Sequence, residues 1–223
     1  MLNLSYTLSA STPFYRGLAK PSIERVYDLS RGDACNSFYF RASNHCGTHV
    51  DAPWHFNPRG RKIADYASNE LVFSHPAVLD VSPAPGSVIG PAELDGATSL
   101  PPDTDMILLR TGFGAHRSDE KTYIEDAPGF SRAGAECLLH SMPNLRALAL
   151  DLPSLSAWNH IDEGSEAHRV FLGCDGYSHR AVLLIEDTSL PVGLNTPSRV
   201  ILVPWMIEGL DSAPCTLLAE YAD

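Results

Sequence analysis

Residues 44–56 read Asn44-His45-Cys46-Gly47-Thr48-His49-Val50-Asp51-Ala52-Pro53-Trp54-His55-Phe56. Nine histidines in 223 residues predict about 0.4 in any eleven-residue window, yet positions 45–55 hold three, with Asp51 among them. Imidazoles and carboxylates are the usual protein ligands of zinc and other divalent first-row metals, and a carboxylate can bridge two ions. A straight strand would hold the His45 and His49 backbones about 13 Å apart, too far for one ion. A regular helix would join the two histidines and turn Asp51 to another face. The chain is therefore expected to bend as a curved loop. Gly47 permits the unusual backbone angles of a bend, and Pro53 limits helical continuation at Ala52. Two readings of the residues stand: a metal site, or a hydrogen-bonded His-rich loop.

His55, flanked by Trp54 and Phe56, admits three readings: another ligand, a general acid/base with a near-neutral pKa, or a surface histidine. Cys46 invites a nucleophile or soft-ligand role, against the plainer reading of a small packing residue. Trp54, Phe56 and Trp158 are candidates for an aromatic wall around a substrate, or simply core.

The rest of the chain narrows the class. It carries 16 Lys+Arg against 27 Asp+Glu, a net charge of −11, which argues against a nucleic-acid groove or attachment to an anionic membrane. Hydrophobic residues make up 44% and charged residues 19%, the balance of a folded globule. The N-terminus has no basic region before a long apolar stretch, and nowhere do about 18 apolar residues run together, so no signal peptide or spanning helix is expected. Five scattered cysteines without a Cys-x-x-Cys pair suit reduced thiols in the cytoplasm. No repeat or long linker divides the chain, and one domain over residues 1–223 is the simpler organisation.

Short apolar runs predict strands at Ser37–Arg41, Ala77–Val81, Met106–Thr111, Ala147–Leu152, Ala181–Glu186 and Val200–Pro204, most of them continuous enough to be buried on both faces. Ser131 is a good N-cap for a helix from Arg132 to His140, and a weaker helix is expected over Glu163–Phe171. The class is α/β with a mixed sheet. No Gly-x-Ser-x-Gly elbow, Walker A or Gly-x-Gly-x-x-Gly loop is present, so neither a serine triad nor a nucleotide cofactor is indicated.

The pattern His-x-Gly-Thr-His-x-Asp-x-Pro-x-His resembles the signature of the cyclase family of metal-dependent hydrolases, which includes bacterial kynurenine formamidases (arylformamidases) and isatin hydrolases. Leu4-Ser5, Pro13-Phe-Tyr-Arg-Gly17, Leu109-Arg-Thr-Gly112, Pro128-Gly-Phe-Ser131 and Leu150-Asp-Leu-Pro-Ser154 are similar to further landmarks of that family. Downstream, His168-Arg169-Val-Phe-Leu172 and Ala181-Val-Leu-Leu-Ile-Glu186 resemble the segments that complete the family's site, although Gly173–Arg180 is about six residues longer than the formamidase connection, a length change that loop entropy tolerates. His179, inside that longer loop, is a rival ligand.

The resemblance implies a barrel-like mixed sheet with flanking helices and a homodimer or homotetramer. It implies His45, His49 and Asp51 around one ion, Asp51, His168 and Glu186 around a second position, and His55 as the acid/base. One or two divalent ions, Zn²⁺ or else Mn²⁺, would serve hydrolysis of an amide C–N bond in a small aryl-formamide or cyclic amide. The alternatives are a cyclase or dehydratase of the same family, and a non-catalytic metal-binding protein. A His and carboxylate donor set with a spare His55 favours catalysis over a closed structural zinc site.

Overall fold

The computed structural model describes residues 1–15, 19–178 and 180–222. His179, named above as a rival ligand, lies outside the described residues, as do Arg16 and Gly17 of the N-terminal landmark. The strands are β1 (Leu2–Asn3), β2 (Ser22–Tyr27), β3 (Ser37–Arg41), β4 (His49–Asp51), β5 (Val72–Phe73), β6 (Pro76–Asp80), β7 (Val88–Ile89), β8 (Met106–Arg110), β9 (Gly129–Phe130), β10 (Ala147–Leu150), β11 (Leu183–Glu186), β12 (Arg199–Pro204) and β13 (Ser212–Glu220). The α-helices are α1 (Glu120–Glu125), α2 (Arg132–Ser141) and α3 (Ile161–Phe171).

The principal sheet runs β5-β12-β13-β4-β11-β10-β8-β6, with β1 also on β13. Strands β11, β10, β8 and β6 are parallel, and β4, β13, β12 and β5 join antiparallel. The two ends of the order, β5 and β6, follow one another in the chain across Ser74 and His75, so the sheet curls into a nearly closed barrel. Its strands alternate between two cores, as a period of two requires. Met106, Leu108, Ala147, Ala149, Leu183, Ile185 and Val50 fill the inside. Ile107, Leu109, Leu148, Leu150 and Leu184 face outward beneath Ala135 and Leu138 of α2 and Ala167, Val170 and Phe171 of α3.

The parallel strands and both longer helices form where expected, within a residue or two. The Ser131 hydroxyl caps α2 by accepting from the Gly134 amide. Two expectations are corrected, and one strand was not expected. Residues 49–51 are a strand, not part of a continuous curved loop: the bend is confined to the turn before it, where Gly47 has φ +65°. Strand β3 is not buried on both faces; with β2 it forms a separate hairpin that exposes Ile23, Tyr27, Phe38, Tyr39 and Phe40. The longest strand, β13, went unpredicted because Pro214 interrupts it, and proline demotes a run as a central strand. All five cysteines are free, and Cys46 is a buried packing residue.

Helix α3 lies close against the chain that precedes it. A Cβ on Gly164 would overlap Ser156 Oγ and Cβ and lie 2.5 Å from its Cα. Alanine is the better helix former by about 1 kcal/mol, whereas overpacking costs about 1–3 kcal/mol. Gly164→Ala is therefore expected to destabilise the protein, seen as a lower urea midpoint. A midpoint at or above that of the wild type would contradict this packing.

Candidate metal centre

One register decides where the chemistry sits. Strand β4 pairs with β11 so that Val50 lies opposite Ile185, His49 opposite Glu186 and Asp51 opposite Leu184. Val50 and Ile185 point into the barrel, so His49, Asp51 and Glu186 share the other face, under α3. All three are buried. His168 is brought to the same face by α3 and is also buried. His45 reaches it from before the Gly47 turn, and His55 from a single 3-10 turn that starts at Pro53.

The ring nitrogens and carboxylate oxygens converge. His49 Nε2 stands 3.3 Å from Glu186 Oε2 and 3.6 Å from Asp51 Oδ1. His45 Nδ1 is 3.0 Å from the same Asp51 oxygen. His168 Nε2 is 3.7 Å from Glu186 Oε1, and His55 Nε2 is 3.9 Å from Asp51 Oδ2. Two compact donor groups result, His45 with Asp51 and His55, and His49 with Asp51 and Glu186.

Backbone groups aim these side chains. Gly47 O and Gly164 O can only accept, so His49 Nδ1 donates to the first at 2.8 Å and His168 Nδ1 to the second at 2.7 Å. In the neutral ring that leaves each Nε2 as the lone-pair nitrogen, facing the carboxylates, which is how a ligating histidine is held. The Leu155 amide donates to Glu186 Oε1 at 2.6 Å. Thr48 fixes the start of β4: its hydroxyl donates to Asp187 O at 2.5 Å and accepts from the Tyr6 amide.

Asp187, directly after Glu186, holds a left-handed φ of +52°. Arg117 grips its carboxylate through two nitrogens at 2.7 Å each, and Tyr123 donates to it at 2.8 Å. Asp187 is buried and Arg117 partly so, and loss of the arginine would leave that buried carboxylate without its counter-charge.

The residues fit a divalent ion on structural grounds. His49 Nε2 and Asp51 Oδ1 are buried and make no hydrogen bond, although buried polar atoms are nearly always paired. His49 Nε2 faces two carboxylate oxygens and Asp51 Oδ1 faces two ring nitrogens, a set of donor atoms that a cation between them would satisfy. The same need raises the His45 and His49 imidazoles. Burial pulls the His45 imidazolium down, but Asp211 and Asp51 more than offset it and push it up to about 10. Burial alone would raise the carboxyls; the histidines reverse this, holding Glu186 down at about 2, chiefly through His168 and His49, and Asp51 well below the carboxylate range, chiefly through His45.

The centre opens into a cavity of about 280 Å³ with Tyr15, Phe56, Pro153 and Ile161 as apolar wall and Ser154, Ser156 and Ser165 as polar wall. Phe56 stacks on His168 at 4.7 Å between centroids. Trp54 sits apart, partly exposed, under the Lys62 ammonium. Trp158 packs edge-on against Tyr15, and it is Tyr15 that lines the cavity. The described residues of the longer loop do not line it; there Asn57 donates to Gly173 O, and Tyr177 donates to Glu166.

A second cavity, of about 400 Å³, holds three arginines, but Arg59 is paired with Asp175, Arg61 with Glu70 and Arg146 with Asp105. It gathers no comparable set of orphaned groups. Sequence reasoning missed Asp211, which meets both His45 and His55. A lone aspartate in Gly209-Leu-Asp-Ser-Ala-Pro214 reads as an ordinary turn residue, and no local signal separates it from one.

Several solved structures share this fold. A solved isatin hydrolase A from Labrenzia aggregata, bound to benzyl benzoate, shares the fold with a TM-score of 0.79 at 20% identity, over 98% of this chain and 93% of that one. An isatin hydrolase bound to the product analogue thioisatinate gives 0.75 at 17% identity, over 98% and 92%. A protein described as a potential metal-dependent hydrolase with cyclase activity gives 0.73 at 18% identity, over 100% and 98%. The family model described as "Putative cyclase" matches residues 2–157, a span that contains the whole His45–His55 motif and ends before His168. With that match over more than half of its length, the chain belongs to the cyclase family.

Proposed function

We propose that this chain is a metal-dependent hydrolase that cleaves the amide C–N bond of a small aryl-formamide or cyclic amide. The observation that carries the reading is the pair of orphaned buried atoms, His49 Nε2 and Asp51 Oδ1, placed beside Glu186 at the floor of an open cavity with an aromatic wall. In this reading His45, His49, Asp51, His168 and Glu186 hold one or two ions, Zn²⁺ or Mn²⁺. The relatives of known fold that are described as isatin hydrolases support a cyclic aromatic amide as substrate.

When bound, a divalent ion supplies Lewis acidity, polarising an amide carbonyl and acidifying water. The chain's own residues do the rest. The aryl ring packs against Phe56 and Tyr15, which excludes water from its faces. His55 stands at the cavity with Nε2 turned toward Asp51. It takes the proton from the attacking water and returns it to the nitrogen as the C–N bond breaks. The products are a carboxylate and an arylamine, separate for a formamide and joined for a lactam.

Turnover of isatin and of N-formylkynurenine by protein purified with its metal tests the reading. Hydrolysis of at least one of them is expected, abolished by chelation and restored by Zn²⁺ or Mn²⁺. Metal-replete protein that hydrolyses neither would contradict it. General acid–base catalysis contributes about 10²–10⁴-fold, so His55→Ala is expected to lower kcat on that order while retaining the metal by elemental analysis. A variant with full activity would remove His55 from the role.

A further inference from the structure

Asp211 approaches the centre from the strand on the far side of β4. It precedes β13, and its backbone carbonyl accepts from the Ala52 amide at 2.9 Å, so the residue is tied to the motif segment itself. Its two carboxylate oxygens meet different groups. Oδ1 accepts from Asn44 Nδ2 at 2.7 Å. Oδ2 lies 3.0 Å from His45 Nε2 and 2.7 Å from His55 Nδ1.

An ionised carboxylate only accepts hydrogen bonds. Both ring nitrogens facing Oδ2 therefore carry their protons, and in the neutral form that binds an ion each ring has its lone pair on the opposite nitrogen. For His45 that nitrogen is Nδ1, 3.0 Å from Asp51 Oδ1; for His55 it is Nε2, 3.9 Å from Asp51 Oδ2. One oxygen thus turns two lone pairs toward the two oxygens of one buried carboxylate. The backbone carbonyls of Gly47 and Gly164 do the same for His49 and His168, one ring each.

We propose that Asp211 is a positioning residue that fixes the tautomer and orientation of His45 and His55 together, so that a single side chain couples the grip on the ion to the proton-transferring histidine. The His55 half of this inference rests on the hydrolase reading above; the His45 half rests on the metal site alone. Without Asp211 both rings would lose their partner; His55 would exchange tautomers and His45 would hold its ion less tightly, whereas His49 and His168 would stay fixed.

The test uses zinc-loaded protein labelled with ¹⁵N-histidine, comparing wild type with Asp211→Ala and Asp211→Asn. Two-bond ¹⁵N–¹H correlations report which nitrogen of each ring carries the proton. In the wild type, protons are expected on His45 Nε2 and on Nδ1 of His55, His49 and His168. In Asp211→Ala the His55 pattern is expected to become mixed, with those of His49 and His168 unchanged. Zinc affinity by chelator competition is expected to fall about 10–100-fold, the usual effect of losing a partner behind a ligand. With the amide substrate, kcat should fall and KM hold. Asp211→Asn keeps the volume and one acceptor and should lie between, and it carries the test if the alanine variant does not fold. Unchanged tautomers at both rings, with zinc affinity within about twofold of wild type, would overturn the proposal. Shifted tautomers and weakened zinc in a protein that hydrolyses no amide would uphold the Asp211 role and overturn the hydrolase reading instead.

Discussion

Carboxylates taken out of water need positive charge, and the arrangement of this protein follows from that need. Asp51 and Glu186 are almost fully buried on one face of the sheet, placed there by the pairing of β4 with β11. Desolvating a charge costs several kcal/mol unless a counter-charge is close. Here the nearest partners are four imidazoles, and no lysine or arginine lines the cavity among the described residues. Without an ion, protons on His45 and His49 offset the carboxylates, which is why both imidazoles are raised. A divalent ion replaces those protons, which couples its affinity to pH and to the cost of burying the carboxylates.

The surrounding structure holds that charged cluster in place rather than adding to it. Gly47 makes the turn that brings His45 back over β4, where an added Cβ would press on Leu8. Thr48 ties the start of β4 to the end of β11. Arg117 and Tyr123 clamp Asp187 in a backbone conformation that non-glycine residues seldom adopt, and strain of this kind persists only where the surroundings over-determine it. Helix α3 can deliver His168 because Gly164 lets it approach Ser156. Gly47, Thr48 and Asp187 lie within two residues of a group in the cluster, and Gly164 lies one helical turn before His168.

Some of this was legible in the sequence. The parallel strands β8, β10 and β11 are continuous apolar runs, and Ser131 before α2 is a strong local cap; such signals depend on near neighbours and were read correctly. The motif from His45 to His55 was legible for the same reason, although the short strand inside it was not, because strand pairing depends on residues far away in the chain. His168 and Glu186 became candidates only through the family resemblance, since nothing local distinguishes a ligand from any buried histidine or glutamate. Asp211 was not legible at all: it lies 156 positions from His55 in the chain and 2.7 Å from it in space. Likewise β13 is hidden by Pro214, which pairs within the sheet through its carbonyl, the acceptor for the Trp205 amide.

The register of β4 on β11 builds a cation site. Anomalous X-ray scattering at the zinc and manganese edges, from crystals of protein purified without chelator, tests it most directly. A peak is expected within ligand distance of His49 Nε2, Asp51 and Glu186. A protein without such a peak after soaking in either metal, with His49 Nε2 hydrogen-bonded directly to a carboxylate, would contradict it.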